Sequence, residues 1–163
     1  DANSITQLND LEKAAPQFDL EVITQSVNRT ADVPQAATRL ANQTDAIFIY
    51  GDNTALAALE SVVIAGIKAG KPVFVADTDA VPSGPLAALG PNQYQLGIDT
   101  AEMIADILDG KDINTIPVGF PDKMELVINM DTADKLGLTL PEEVVTAAAI
   151  IIKDGQAEVV EQN

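Results

Sequence analysis

The chain has 163 residues, with 9 Lys plus Arg, 25 Asp plus Glu, no His and no Cys. At 47% hydrophobic residues it can bury the core of one globular domain, and it is too apolar for a disordered acidic tail. The lack of His and Cys excludes disulfides, thiolate nucleophiles, His-based acid-base catalysis and the usual zinc ligands, and the net charge of −16 disfavours nucleic acid and anionic membranes as partners.

The predicted elements of the first 76 residues alternate between helix and strand. In chain order they are a helix from Asn3 or Ser4 to about Ala15, a strand at 20–24, a helix at 33–41, a strand at 46–50, a helix at 54–69 and a strand at 72–76. The strands are continuously apolar and the helices amphipathic, a pattern typical of a parallel sheet covered on both faces. The fold class is therefore α/β, with a doubly wound parallel sheet.

The second half continues with shorter elements. After a loop rich in Pro and Gly we predict a strand at 86–89, a helix at 92–108, strands at 116–120 and 125–129, short helices at 132–136 and 142–147, and a hairpin of residues 149–152 and 156–160. Asp154 and Gly155 form the turn of that hairpin. We expect one α/β lobe over residues 1–163, in which the last part, from about 112 to 163, holds the hinge-proximal and C-terminal segments.

This pattern of elements lacks the central strand of the sheet. A doubly wound sheet normally begins with a strand, whereas this chain opens on a helix. The gap would lie between the strands at 20–24 and 46–50 and would expose unpaired backbone groups. Two occupants are considered: the apolar run at 149–152, or a segment of another chain, which we favour.

Candidate binding residues follow from the sheet. Ligands of parallel sheets bind at the carboxyl ends of the strands, where backbone groups and helix N-termini converge. Polar residues that this rule places on one rim are Asn3, Ser4, Asp52, Asn53, Thr54, Asp77, Thr78 and Asp79. Carboxylates there could hold a ligand ammonium group, while hydroxyls and helix N–H groups could hold a ligand carboxylate. This pairing suits an amino acid.

Other interpretations of the same residues stay open. Asp52 and Asn53 precede a helix and are ordinary capping residues, whereas Asp77 and Asp79 lie in a loop with no evident helix to cap. A cluster of Asp at strand ends also fits a Mg²⁺-dependent, receiver-like regulatory domain or a carboxylate-dependent hydrolase. Glycine-rich nucleotide-binding motifs and a GxSxG nucleophile motif do not occur. We expect no catalytic residue, no cofactor and no metal.

Several motifs in register resemble one known family. They are a DNT turn at Asp52, Asn53 and Thr54, a DTD turn at Asp77, Thr78 and Asp79, a PLAALG segment at residues 85–90 where the family pattern has ALAALG, the start QYQLG of a helix, and the run PDKMELVINM followed by LGLTLP. Over roughly residues 1–145 these resemble the ABC-transporter solute-binding proteins of the tryptophan/tyrosine type. Pro85, Gly119 and Phe120 depart from the family pattern.

The resemblance implies the C-terminal, flavodoxin-like lobe of a type I periplasmic binding protein. It implies an exported, periplasmic or cell-surface protein that closes on a small solute, typically an aromatic amino acid, and delivers it to an ABC permease. The Asp52 to Thr54 and Asp77 to Asp79 turns would face the cleft between two lobes. The N-terminal lobe would be missing, and we expect a separate chain to carry it.

Overall fold

The computed structural model describes residues 2–121 and 123–160, with Ala2 and Asn3 as helical backbone only. The described α-helices are α1 Ala2–Ala14, α2 Val33–Ala41, α3 Asn53–Leu56, α4 Leu59–Ala69, α5 Gln93–Leu108, α6 Met130–Leu136 and α7 Glu142–Ala147. Short 3-10 helices lie at Ala15–Phe18, Thr30–Asp32, Thr78–Ser83 and Ile113–Thr115. The strands are β1 Ile47–Ile49, β2 Val73–Val75, β3 Ala87–Pro91, β4 Met124–Asn129, β5 Ile150–Lys153 and β6 Gln156–Val159.

The strands form one sheet in the sequential order β1-β2-β3-β4-β5-β6. The pairs β1–β2, β2–β3 and β4–β5 are parallel, whereas β3–β4 and β5–β6 are antiparallel. The predicted α/β fold is confirmed, although the sheet is mixed rather than wholly parallel. Because β1, β2 and β3 run in the same direction, their carboxyl ends share one rim of the sheet.

The larger part of the core lies between the sheet and helices α2 and α4. Ile47, Ile49, Val73 and Val75 point to these helices and are buried, together with Val81 from the connection after β2. Alternate residues of a strand point to opposite faces, so this face takes every second residue of β1 and β2. Helix α4 ends at Gly70, whose φ of +68° permits the left-handed cap.

The opposite face of the sheet is covered mainly around β3, β4 and β5. A second core cluster there is built on Ala87, Ile128 and Ala148, and the side chains of Val144 and Val145 from α7 pack against it. At the β1 end the cover is incomplete, since Phe48 is 44% exposed although the sequence predicts burial on both faces. Both faces carry helices, as expected for a doubly wound sheet.

Two described helices contribute little to this packing. No residue of α5 is buried. In α1, Ile5 belongs to the apolar stripe that the sequence predicts to face the core, yet it is 65% exposed. None of the described helices combines the length and the apolar character needed to cross a bilayer.

Two predicted strands are wrong. Residues 20–24 and 116–120 adopt no regular structure, and Leu20, Val118 and Phe120 are 61%, 79% and 80% exposed. Both segments have the β-branched and apolar residues that favour strands, but a strand also needs a neighbour to accept its backbone hydrogen bonds. Among the described residues neither segment has such a neighbour.

The single helix predicted at 54–69 is also wrong in detail. The chain forms the short helix α3, leaves helical geometry at Ala58, where φ is −121° and ψ is 24°, and starts again as α4. Leu59, the first residue of α4, is buried in the core. The helices at α2 and α7 and the β5–β6 hairpin agree with the sequence prediction.

The C-terminal segment does not occupy the predicted gap in the sheet. Strand β5 pairs with β4 and β6, at the far edge from β1, so its insertion beside residues 20–24 is contradicted. Within the described part of the chain β1 pairs with β2 alone, and it does not pair with residues 20–24. The alternative occupant, a segment of another chain, stays a prediction.

Candidate functional site

The turns after β1 and β2 lie side by side at the rim formed by the carboxyl ends of the parallel strands. Ile49 is in register with Val75, and the amide of Ala76 donates to the carbonyl of Ile49 over 3.1 Å. Neighbouring strands are about 4.8 Å apart, so the polar turns that follow them belong to one surface. The rim predicted from the sequence therefore exists as a geometric unit.

Asp52 is the most strongly fixed carboxylate of this rim. Its Oδ1 accepts the amide hydrogen of Ala55 over 3.0 Å and caps α3, and its Oδ2 accepts the hydroxyl of Ser4 over 3.1 Å. The Ala55 amide is the main cause that holds the pKa of Asp52 below its ordinary value, and the Ser4 hydroxyl acts in the same direction. Asp52 is thus an ionised carboxylate at neutral pH, and it links α1 to the start of α3.

Asp77 and its neighbours form the second polar turn. The Oδ1 of Asp77 accepts the amide hydrogen of Asp79 over 3.1 Å, so Asp77 caps the 3-10 helix Thr78–Ser83. The sequence predicts no helix for Asp77 to cap, and that prediction is wrong because a short 3-10 helix carries no periodic apolar pattern. Asp77 is half-buried, Asp79 is exposed and Thr78 is buried.

Gly90 allows β3 to approach this second turn closely. A Cβ atom at position 90 would lie 2.4 Å from the carbonyl oxygen of Ala76 and 3.3 Å from Cγ2 of Thr78. A side chain there would overlap the backbone where it leaves β2. The absence of a side chain at Gly90 therefore sets the position of Thr78 at the rim.

A groove of about 860 Å³ opens beside Asp77. It is lined by Thr30 and Ala31 of the 3-10 helix before α2, by Pro34 of α2, by residues 56–61 at the α3–α4 break, and by Asp77, Ala80 and Ser83. Hydroxyl groups and the carboxylates of Glu60 and Asp77 line it together with apolar side chains. Such a mixed surface can hold a small molecule that has an apolar part and a cationic group.

The sequence prediction missed residues after the third parallel strand. Asn92 follows β3, accepts the amide hydrogen of Gln95 over 2.7 Å and donates to Oε1 of Glu125 over 2.8 Å. Tyr94, in the first turn of α5, is 80% exposed. Asn92 could have been found by applying the strand-end rule to β3, since it lies three residues after the strand predicted at 86–89. Tyr94 offers an aromatic surface near the same rim.

Tyr50 lies on the opposite face of β1 from the main core. Its ring contacts Phe48 edge to face, with the centroids 4.8 Å apart. The hydroxyl is buried and has no hydrogen-bond partner among the described residues. Burial, and secondly the charge of Glu12, raise the pKa of Tyr50. Tyr50 is therefore a neutral, largely structural residue at the strand end.

The structure brings most of the candidate residues to one rim. Ser4, Asp52, Asn53 and Thr54 gather at the start of α3, and Asp77, Thr78 and Asp79 follow β2. Asn3 lies in α1, but its side chain is outside the described residues. Within residues 2–121 and 123–160, no group of three or more acidic side chains is placed to hold a metal ion.

The chain is similar to one curated protein and to two solved structures in particular. A curated tyrosine-binding protein from Clostridioides difficile is 28% identical over 138 residues, which cover 85% of this chain and 40% of the relative. A solved conserved domain protein from Vibrio cholerae superposes with a TM-score of 0.86 at 34% identity and covers 94% of this chain. The ABC domain of Streptococcus pneumoniae in complex with L-Trp superposes with a TM-score of 0.84 at 32% identity and covers 92%.

The chain spans only part of each of these relatives. It matches 51% of both solved chains and 40% of the curated relative. The sequence profile of the family described as ABC transporter substrate binding protein matches residues 1–152. Because this profile matches nearly the whole chain and the fold is that of the solved relatives, the chain belongs to the ABC transporter substrate binding protein family.

Proposed function

We propose that this chain forms one wall of a cleft that binds a small solute, an amino acid with an aromatic side chain. The observation that carries the proposal is the ionised Asp52 carboxylate beside the Asp77–Thr78–Asp79 turn at one rim. These carboxylates provide the counter-charge for a ligand ammonium group. The relatives named for tyrosine and solved with L-Trp support an aromatic amino acid.

The remaining wall would come from the half of the relatives that this chain does not match. The chain covers about half of each solved relative, which supports a two-lobed protein with the cleft between the lobes. A strand from that other part would pair with the edge of β1 that has no partner strand among the described residues. In this proposal the complete protein is exported, acts without catalysis and passes its solute to an ABC permease.

A titration of this chain with L-tryptophan, followed by backbone amide chemical shifts, tests the proposal. One wall offers only part of the contacts, so we expect a dissociation constant of about 1 mM or weaker, which corresponds to about 4 kcal/mol or less. The shifts should be confined to residues 52–54 and 77–79. Indole-3-propionate lacks the ammonium group and should cause smaller shifts at the same residues.

Three variants that each remove one carboxylate test the site, and one of them is the control. Asp52→Ala and Asp77→Ala should weaken the response to L-tryptophan, whereas Asp134→Ala on the exposed side of α6 removes the same charge and should leave it unchanged. Shifts spread over the whole surface, or equal losses in all three variants, would contradict the proposed site. Micromolar binding of L-tryptophan by the monomeric chain would contradict the proposal that this chain forms only one wall of the cleft.

A further inference from the structure

The connection between β2 and β3, residues 76–86, is unusual because it contains no α-helix. Parallel strands are normally joined by a helical crossover of a dozen or more residues. Here the connection consists mainly of the 3-10 helix Thr78–Ser83, and it carries Asp77 and Asp79 at its start. A short 3-10 helix has weak hydrogen-bond geometry, so its position depends on outside contacts.

Two buried polar side chains provide such contacts from a distant part of the sequence. Asn129, at the end of β4, is 3% exposed and donates from Nδ2 to the carbonyl of Val81 over 3.1 Å. Thr132, in the first turn of α6, is 2% exposed and donates from Oγ1 to the carbonyl of Gly84 over 2.9 Å. Between them they hold the second half of the connection at two carbonyl groups.

Helix capping alone does not account for these side chains. The Oδ1 of Asn129 accepts the amide hydrogen of Thr132 over 3.0 Å and so caps α6. An Asp or Ser at this position would cap equally well. The Nδ2 group of Asn129 and the hydroxyl of Thr132 bond the connection instead. Without them the buried carbonyl of Val81 and the half-buried carbonyl of Gly84 would each lose a partner.

We propose that Asn129 and Thr132 are positioning residues for the ligand site. By fixing Val81 and Gly84 they fix the 3-10 helix, and the helix in turn holds Asp77 and Thr78 in place at the rim. Val81 is fully buried in the main core and acts as the pivot of the segment. The role of Asn129 and Thr132 in ligand binding rests on the function proposed above, whereas their role in holding residues 76–86 in place does not.

Near-isosteric variants test the two hydrogen bonds separately. Asn129→Asp keeps the acceptor that caps α6 and loses the donor to Val81, and Thr132→Val keeps the shape and loses the donor to Gly84. Thr132→Ser restores the hydroxyl. Asp131→Ala is the control for general destabilisation, because Asp131 lies on the same helix but bonds the amides of Asp154 and Gly155 instead.

The first readout is hydrogen exchange of the amides of Ala80 and Gly84, which bond within the connection. For Thr132→Val we expect exchange to be about tenfold faster there than in the wild type, the effect of one lost hydrogen bond, with little change in β3. For Asn129→Asp we expect at least the same acceleration, because its buried carboxylate also faces the Val81 carbonyl. Thr132→Ser and Asp131→Ala should leave these two amides unchanged relative to the rest of the chain. Uniform acceleration in all variants would overturn the proposal.

The second readout is the chemical-shift titration with L-tryptophan. Thr132→Val should weaken the response of residues 77–79 by about tenfold, and Thr132→Ser should restore it. Faster exchange without a weaker response would overturn the role in the site. If the wild type itself shows no response to L-tryptophan, the proposed function fails, and the exchange data still decide whether Asn129 and Thr132 hold the connection.

Discussion

Gly90→Ala is the sharpest test of how the rim is built. The added Cβ would lie 2.4 Å from the carbonyl oxygen of Ala76, whereas ordinary contacts begin at 3.4 Å. The carbonyl oxygen would have to retreat by about 1 Å at the point where β2 and β3 pair. Overpacking of this kind costs about 1–3 kcal/mol, and because backbone rather than a flexible side chain is in the way we expect the upper part of that range.

Gly97→Ala is the matched control, since it is the same substitution in a different environment. Gly97 lies within α5, and a Cβ there would have no atom within 4 Å apart from its chain neighbours and the backbone of its own helix. Ala is favoured over Gly inside a helix by roughly 0.5–1 kcal/mol, so this variant should be slightly more stable than the wild type. The two substitutions should thus change the free energy of unfolding in opposite directions.

Urea unfolding followed by far-UV circular dichroism measures both changes in the free energy of unfolding, and thermal unfolding followed in the same way measures the melting temperature. For a chain of this size a loss of about 2–3 kcal/mol should lower the melting temperature by roughly 4–12 °C. Gly90→Ala should also shift the amide resonances of Ala76 and Thr78. A Gly90→Ala chain as stable as the wild type would refute the close approach of β3 to the second turn.

Three further substitutions test the hydrogen bonds described above. The pKa of Asp131 is lowered mainly by the Gly155 amide and next by the Asp154 amide. Its ionised carboxylate therefore contributes to folding stability above about pH 4, the unfolded pKa, and this contribution is lost as the pH falls through the folded pKa. Asp131→Asn should lower the free energy of urea unfolding at neutral pH, and its difference from the wild type should shrink in acid. Tyr50→Phe removes a buried hydroxyl without a described partner, so the free energy of unfolding should stay equal or rise by about 1 kcal/mol, and a clear loss would reveal an unseen partner. Ser4→Ala removes one donor to Asp52, so the pKa of that carboxyl, followed by NMR, should rise but stay below its ordinary value because the Ala55 amide remains.

Local patterns predicted those parts of the fold that depend on local chemistry. Helix α7 begins directly after Pro141, α4 ends at Gly70, and Asp154 and Gly155 turn the last hairpin. Residues 20–24 show the limit of such patterns. Their composition favours a strand, but strand formation requires a neighbouring strand, which a local pattern does not contain.

The candidate site was predictable to a similar extent. The strand-end rule located Asp52 and Asp77, because it needs only the ends of two apolar runs. It could not indicate Asn129 or Thr132, which contact residues 48 positions earlier in the chain and lie at the opposite end of β3 from the rim. Side chains that act through tertiary contacts leave no spacing signal in the sequence.

The open edge of β1 also affects how this chain behaves at high concentration. Ile47–Ile49 presents backbone groups that are not paired on one side within the described residues, and it has neither charge nor proline to discourage another strand. The net charge of −16 opposes such contact through mutual repulsion of whole molecules. Salt screens that repulsion over about 8 Å at physiological ionic strength. Added salt should therefore favour self-association through the apolar edge, and low salt should keep the molecules apart.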